Sequence, residues 1–175
     1  MVNKSRERVG LYPLGMCKNA IINIIENDKD MKALITGYEN FTGKLKYDYV
    51  YDSLVIDLTQ EKTKTYITMD AVVSSIESRT IKGIEITIDI FTHLSLKELT
   101  FDEQKRYYSQ GYMGNRVDVL SDMLYRKLSG NEDFGIGELQ LRTRNPMSIF
   151  QPHAKYYGKA LVFQMFDFRV VWLWM

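Results

Sequence analysis

Two histidines, one cysteine and a pair of aspartates four residues apart are the side chains here whose types and spacing bear on catalysis or metal binding. His93 closes a run of alternating isoleucines and His153 follows Pro152. Neither has a second histidine at helical spacing, so a tetrahedral zinc site would have to draw carboxylates from distant parts of the chain. Cys17 falls inside an amphipathic helical pattern, away from any helix N-terminus or sharp elbow that would activate a thiol. It reads as a small apolar packing residue, and without a second cysteine there is no intramolecular disulfide. Asp118 and Asp122 share one helix face. They occupy the first turns, where negative charge complements the helix dipole, and Asp122 has Arg126 four residues on. No third group accompanies them, as acid–base work or cation binding would need. Gly135-Ile136-Gly137 resembles a phosphate loop at a glance. A dinucleotide fingerprint needs a strand before the glycines and a helix after them, and here the order is reversed, with Gln140 at the third glycine position. These glycines read as a turn. The sequence therefore offers no catalytic residue, no metal ligand and no cofactor site.

Surface chemistry is a different matter. Aromatic residues make up 13% of the chain, with 12 tyrosines. Tyr107, Tyr108 and Tyr112 lie beside Lys105 and Arg106, a combination that suits either stacking on single-stranded nucleic acid or a protein contact. With 23 Lys and Arg against 22 Asp and Glu the net charge is +1. That balance leaves no electrostatic footprint for nucleic acid or an acidic membrane, so the protein contact is favoured. Trp172 and Trp174 lie in Val170–Met175, a stretch too apolar to stand in solvent; it must pack on its own core or on a neighbour. These five aromatic residues are the candidate interface.

The elements that would position them follow from periodicity. At 175 residues, 45% apolar and 26% charged, the chain suits one globular domain with a real core. Residues 1–12, with Lys4, Arg6 and Arg8, read as a flexible segment and 13–175 as a single α+β domain. Pro13 opens a helix whose apolar face is Ile21, Ile22, Ile24 and Ile25; Asn27-Asp28-Lys29-Asp30 interrupts it, and a further turn ends at Gly37. Residues 38–48 read as a loop. Tyr49–Leu58 reads as a strand, and Thr65–Ser78 as another whose phase slips near Ala71, as at a bulge. After a turn at Arg79–Gly83, Ile84, Ile86, Ile88 and Ile90 alternate with Glu85, Thr87 and Asp89, a strand with one greasy and one wet face. Residues 65–92 thus form a long antiparallel hairpin. Residues 95–113 show no clean period and read as loop with one helical turn at most. Asn115 caps a second helix, with Val117, Leu120, Leu124 and Leu128 on its inner face and Gly130 at its end. Leu139 and Leu141 mark a new strand. A loop around Pro146 and Pro152 leads to a last, central strand over Tyr157–Val171. The fold class is α+β: an antiparallel or mixed sheet of about four to five strands with two main helices on one face. No stretch has signal-peptide or membrane-span length, which points to the cytoplasm.

These elements, with "NRVDVLSDMLYRKL", "FGIGELQL" and "YYGKALVFQMFDF", resemble the tail terminator and related neck proteins of tailed bacteriophages and phage-like particles of Gram-positive hosts. The likeness covers residues 13–168 in element order and 114–168 in local motifs. It implies a structural virion protein made in the host cytoplasm: a ring subunit, a hexamer, that caps the tail tube and joins it to the neck. The implied partners are other copies of the chain, the tail tube protein and a neck or connector protein. DNA would pass through the ring without sequence-specific binding, and no membrane is involved. The family supplies no catalytic residues. The basic N-terminal segment and the Trp-rich end depart from it. Two alternatives stand beside this reading: another neck component, a connector, stopper or collar that contacts portal-side proteins or DNA, and a small cytoplasmic enzyme with a dispersed site.

Overall fold

Asp28 divides the N-terminal helical stretch into α1 (Tyr12–Asn27) and α2 (Lys29–Thr36). Its carboxylate accepts from the amides of Asp30 and Met31 at 3.0 Å, an N-cap that starts the second helix as the first ends. Gly37 closes α2, its N–H donating to the Ala33 carbonyl. The computed structural model describes residues 12–53, 62–76, 82–131, 138–142, 147–150 and 155–167.

The sheet is built around β3 (Lys82–His93), which pairs antiparallel with β2 (Thr65–Ile76) on one side and β6 (Tyr156–Asp167) on the other. β1 (Val50–Tyr51) adds parallel to β2, while β4 (Gln140–Leu141) and β5 (Met147–Phe150) pair in succession along the far side of β6. The strand order is β1-β2-β3-β6-β4, with β5 beside β6. Register places Ile67, Met69 and Ala71, then Ile90, Ile88 and Ile86, then Leu161 and Phe163 on one face. These residues share one buried cluster with Ile21 and Ile25 of α1, Leu34 of α2 and Leu120, Leu124 and Leu128 of α4 (Arg116–Leu128). The molecule is therefore an α+β layer pair with the core between helices and sheet. Glu85, Thr87 and Asp89 are half-buried on the opposite face, and burial raises the Asp89 carboxyl above its ordinary range. On that face Phe91 lies across Gly158, where a Cβ would meet the Ile90 carbonyl at 2.7 Å.

Several expectations need correction. The first strand stops at Tyr51, with Asp52 and Ser53 in a bend; residues 54–58 lie outside the described residues. The irregularity in β2 falls between Val73 and Ser75 rather than at Ala71, so Gly83 belongs to β3, opposite Ser75. Residues 147–150 form a strand, not a loop: β4 covers only residues 163–164 of β6, and β5 pairs with residues 158–161 beyond it. Residues 95–113 are not mainly loop. A short 3-10 turn (Leu94–Leu96) leads to a nine-residue helix, α3 (Phe101–Ser109), started by a capping box in which Thr100 and Glu103 exchange hydrogen bonds. The turn at Gly135–Gly137 and the N-terminal segment lie outside the described residues.

α4 packs on β3 and β6, and Leu124 is fully buried there. Leu124→Ala is expected to cost about 2–5 kcal/mol in a denaturant melt. A loss under about 1 kcal/mol would mean that this helix face is not core.

Candidate interaction surface

The expected aromatic patch is split by the fold. Tyr107 points inward and is 1% exposed, because α3 lays that one side chain into the main core. It is therefore a packing residue, and its placement on an outer patch is corrected. Its hydroxyl reaches the Asp30 carbonyl at 3.4 Å, and burial pushes its ionisation up to about 12. Tyr108 faces outward and donates to the Gly114 carbonyl at 3.2 Å. Tyr112 is half-buried beneath Arg126, whose guanidinium lies 4.4 Å from the ring centroid and also donates to the Gly111 carbonyl. Trp172 and Trp174 lie outside the described residues. Of the five, the structure brings only Tyr108 and Tyr112 to one outer turn.

Other apolar side chains stand in solvent where sequence reasoning did not look. Phe101, the first residue of α3, is 80% exposed, and Met113 in the turn after it is 67% exposed. Tyr125 projects from α4, and Val72 and Ile76 are exposed near the end of the hairpin, Val72 across from Glu85 and Ile76 across from Lys82. The signal for Phe101 was present: Thr100-x-x-Glu103 marks a helix start, and α3 turns only Tyr107 inward. Isolated exposed apolar residues are ordinary. Here these five fall on the α3–α4 region and the hairpin end, while Met16, Tyr38, Tyr47 and Leu94 are exposed elsewhere.

The region is organised by Arg116, the first residue of α4, which is only 5% exposed. Its Nε donates to the Leu96 carbonyl at 2.8 Å and its Nη1 to the Leu34 carbonyl at 2.7 Å. Nη2 donates to both Glu103 carboxylate oxygens at 2.9 Å. Arg106 pairs with Asp30 and, at 3.0 Å, with Glu39. A cleft of about 200 Å³ lies between α2 and α3, bordered by Ala33, Gly37, Thr100, Asp102, Glu103 and Arg106. Glu103, on its border, is held by Arg116. Both of its carboxylate oxygens accept from Arg116, so on this border the carboxylate ties the start of α3 to α4.

The histidines, the cysteine and the paired aspartates sit apart. Cys17 is fully buried on α1. His93 uses its ring to cap the 3-10 turn, with Nδ1 2.7 Å from Ser95 Oγ. His153 lies outside the described residues. Asp118 closes the capping box of α4 with Asn115 and pairs with Lys159, while Asp122 pairs with Arg126 at 2.8 Å. Among the described residues no three His, Cys, Asp or Glu side chains gather as a metal site would require, and no helix is long and apolar enough to cross a membrane.

The sequence matches the protein-family model YomW over residues 19–165, from the middle of α1 to near the end of β6. No curated protein matches it.

Two predictions follow from the buried polar groups. Arg116→Met leaves the Glu103 carboxylate with only its Thr100 donors and removes the Arg116 donors from two carbonyls, and it is expected to cost about 3–5 kcal/mol. Recovery of part of that loss in the double variant Arg116→Met, Glu103→Gln would locate the cost in the stranded charge; a single-variant loss under about 1 kcal/mol would show that Arg116 does not clamp the helices. The second concerns alkali. Burial, reinforced by Tyr156 and Tyr51, pushes Tyr66 up to about 12, as burial does for Tyr107. Both pKa values rise on folding, so their contribution to stability is full below about 10 and is lost as pH climbs toward 12. Phenolate absorbance should show a late phase near pH 12 that Tyr66→Phe and Tyr107→Phe each diminish. A late phase unchanged in both variants would refute the assignment.

Proposed function

We infer the function of this chain from its family: it belongs to the YomW family, whose name derives from a Bacillus phage. The phage association is the observation that carries the reading. The chain is a structural subunit of a phage or phage-like particle, of the tail-terminator type, forming a ring that caps the tail tube and joins it to the neck. The exposed Phe101, Met113, Val72 and Ile76 support it, because a cyclic ring joins one patch to a different patch on the next copy. The role needs no catalytic group. Trp172 and Trp174 are assigned to the contact with the ring neighbour or the adjoining layer, where aromatic anchors carry much of the binding energy.

Sedimentation of the purified chain, alone and with the tail tube protein, tests the reading. A closed ring of six, free or formed on the tube, is expected. A chain that stays monomeric with the tube protein and is absent from purified particles would overturn it; binding to portal-side proteins instead would move it to a connector or stopper position. The double change Trp172→Ala, Trp174→Ala should leave the monomer folded and stop ring formation. Normal rings from that variant would remove the tryptophans from the interface.

A further inference from the structure

Helix α3 is attached to the body unlike the other helices. It buries a single side chain, Tyr107, whereas α4 buries eight. Its remaining ties are polar, and the two ends differ. At the N-terminal end Glu103 meets Arg116, a pair whose arginine side chain is 6% exposed. At the C-terminal end Arg106 reaches across to Asp30 and Glu39 from a position that is 37% exposed. Between these ties α2 and α3 border the cleft of about 200 Å³, which Arg106 and Tyr107 both line, so the Arg106 pairs lie at an opening beside the one packed side chain. The chain then leaves α3 through Gly111 (φ +82°) and Gly114 (φ +99°), backbone states that glycine adopts without a Cβ penalty.

We propose that α3 is a latched strap. Its C-terminal half swings away from α2, withdrawing Tyr107, while the Glu103–Arg116 pair acts as the pivot and the Gly111–Gly114 turn as the hinge. The two Arg106 ion pairs are the latch. The rest of the helix layer and the sheet stay folded, because α1, α2, α4 and the sheet share many buried apolar side chains besides Tyr107, the one that α3 contributes. Ion pairs open to solvent are screened by salt, whereas the apolar seam of α4 is not. The strap is therefore more salt-sensitive than α4, whose surface pairs Asp122–Arg126 and Lys127–Asp28 only add to its apolar seam. This inference stands on the chain itself and holds whether or not the subunit forms a ring.

Amide hydrogen exchange on the full chain, resolved by segment, tests it. In low salt the amides of residues 105–109 should exchange faster than those of α4. Raising salt to about 1 M should speed them further by roughly two- to fivefold per ion pair, with a smaller change in α4. Arg106→Gln in low salt should reproduce the high-salt pattern of the wild type and lose most of its own salt response. Protection of α3 equal to that of α4 in both salts would overturn the proposal. So would rapid exchange of α3 indifferent to salt and to Arg106→Gln, or an acceleration shared equally by α3 and α4, which reports global unfolding.

Discussion

A guanidinium withdrawn from water must find several partners, and in this fold Arg116 finds them on three other segments. It gathers the last turn of α2 through the Leu34 carbonyl, the exit from β3 through Leu96, and the start of α3 through Glu103. Its own backbone N–H adds the Lys97 carbonyl at 2.9 Å. An arginine suits this place because its planar fork addresses a carboxylate and separate carbonyls at once, which a lysine's point charge does not. Desolvating such a charge is costly, so the arrangement contributes less to net stability than to a single layout for the segments around it. Where α3 and the loop before it sit follows from that constraint.

The result is a body of two characters. Helices α1, α2 and α4 and the sheet are joined by a continuous apolar seam. The 94–114 segment adds Leu99 and Tyr107 to that seam, is otherwise joined by charge and hydrogen bonds, and carries Phe101 and Met113 outward. A subunit that must dock on neighbours gains from such a division: the seam fixes shape, and the polar-tied segment presents contact residues that a partner can repack.

How much of this was legible depended on whether a feature is local. The isoleucine alternation of β3 and the Asn115 cap of α4 were legible because periodicity and capping are written within a few residues. The central position of β6 was legible because both of its faces are apolar. Helix α3 was hidden because a helix that buries one residue has no apolar stripe, although its capping box stood in Thr100 and Glu103. Tyr107 was misplaced for the same reason: without a helix, nothing distinguishes it from Tyr108. The burial of Arg116 had no local signature, since its partners come from residues 34, 96 and 103. β5 was overlooked because the prolines around it favour a loop, and its pairing depends on the length of β6 left uncovered by β4.

The pairing of β3 with β6 also sets an order of events during synthesis. The β2–β3 hairpin joins neighbours in sequence and closes on the microsecond scale. Its other edge waits for a partner that runs from Tyr156 to Asp167, with α3, α4, β4 and β5 made in between. Until then β3 presents an open ladder beside a face of four isoleucines, the kind of surface that recruits other chains. The helices α1 and α2 precede the hairpin and can shield that face from the ribosome outward, but they cannot pair its edge. The slowest and most exposed stage of folding should be the arrival of the last strand, so a chain truncated before Tyr156 should aggregate rather than persist as a smaller soluble domain.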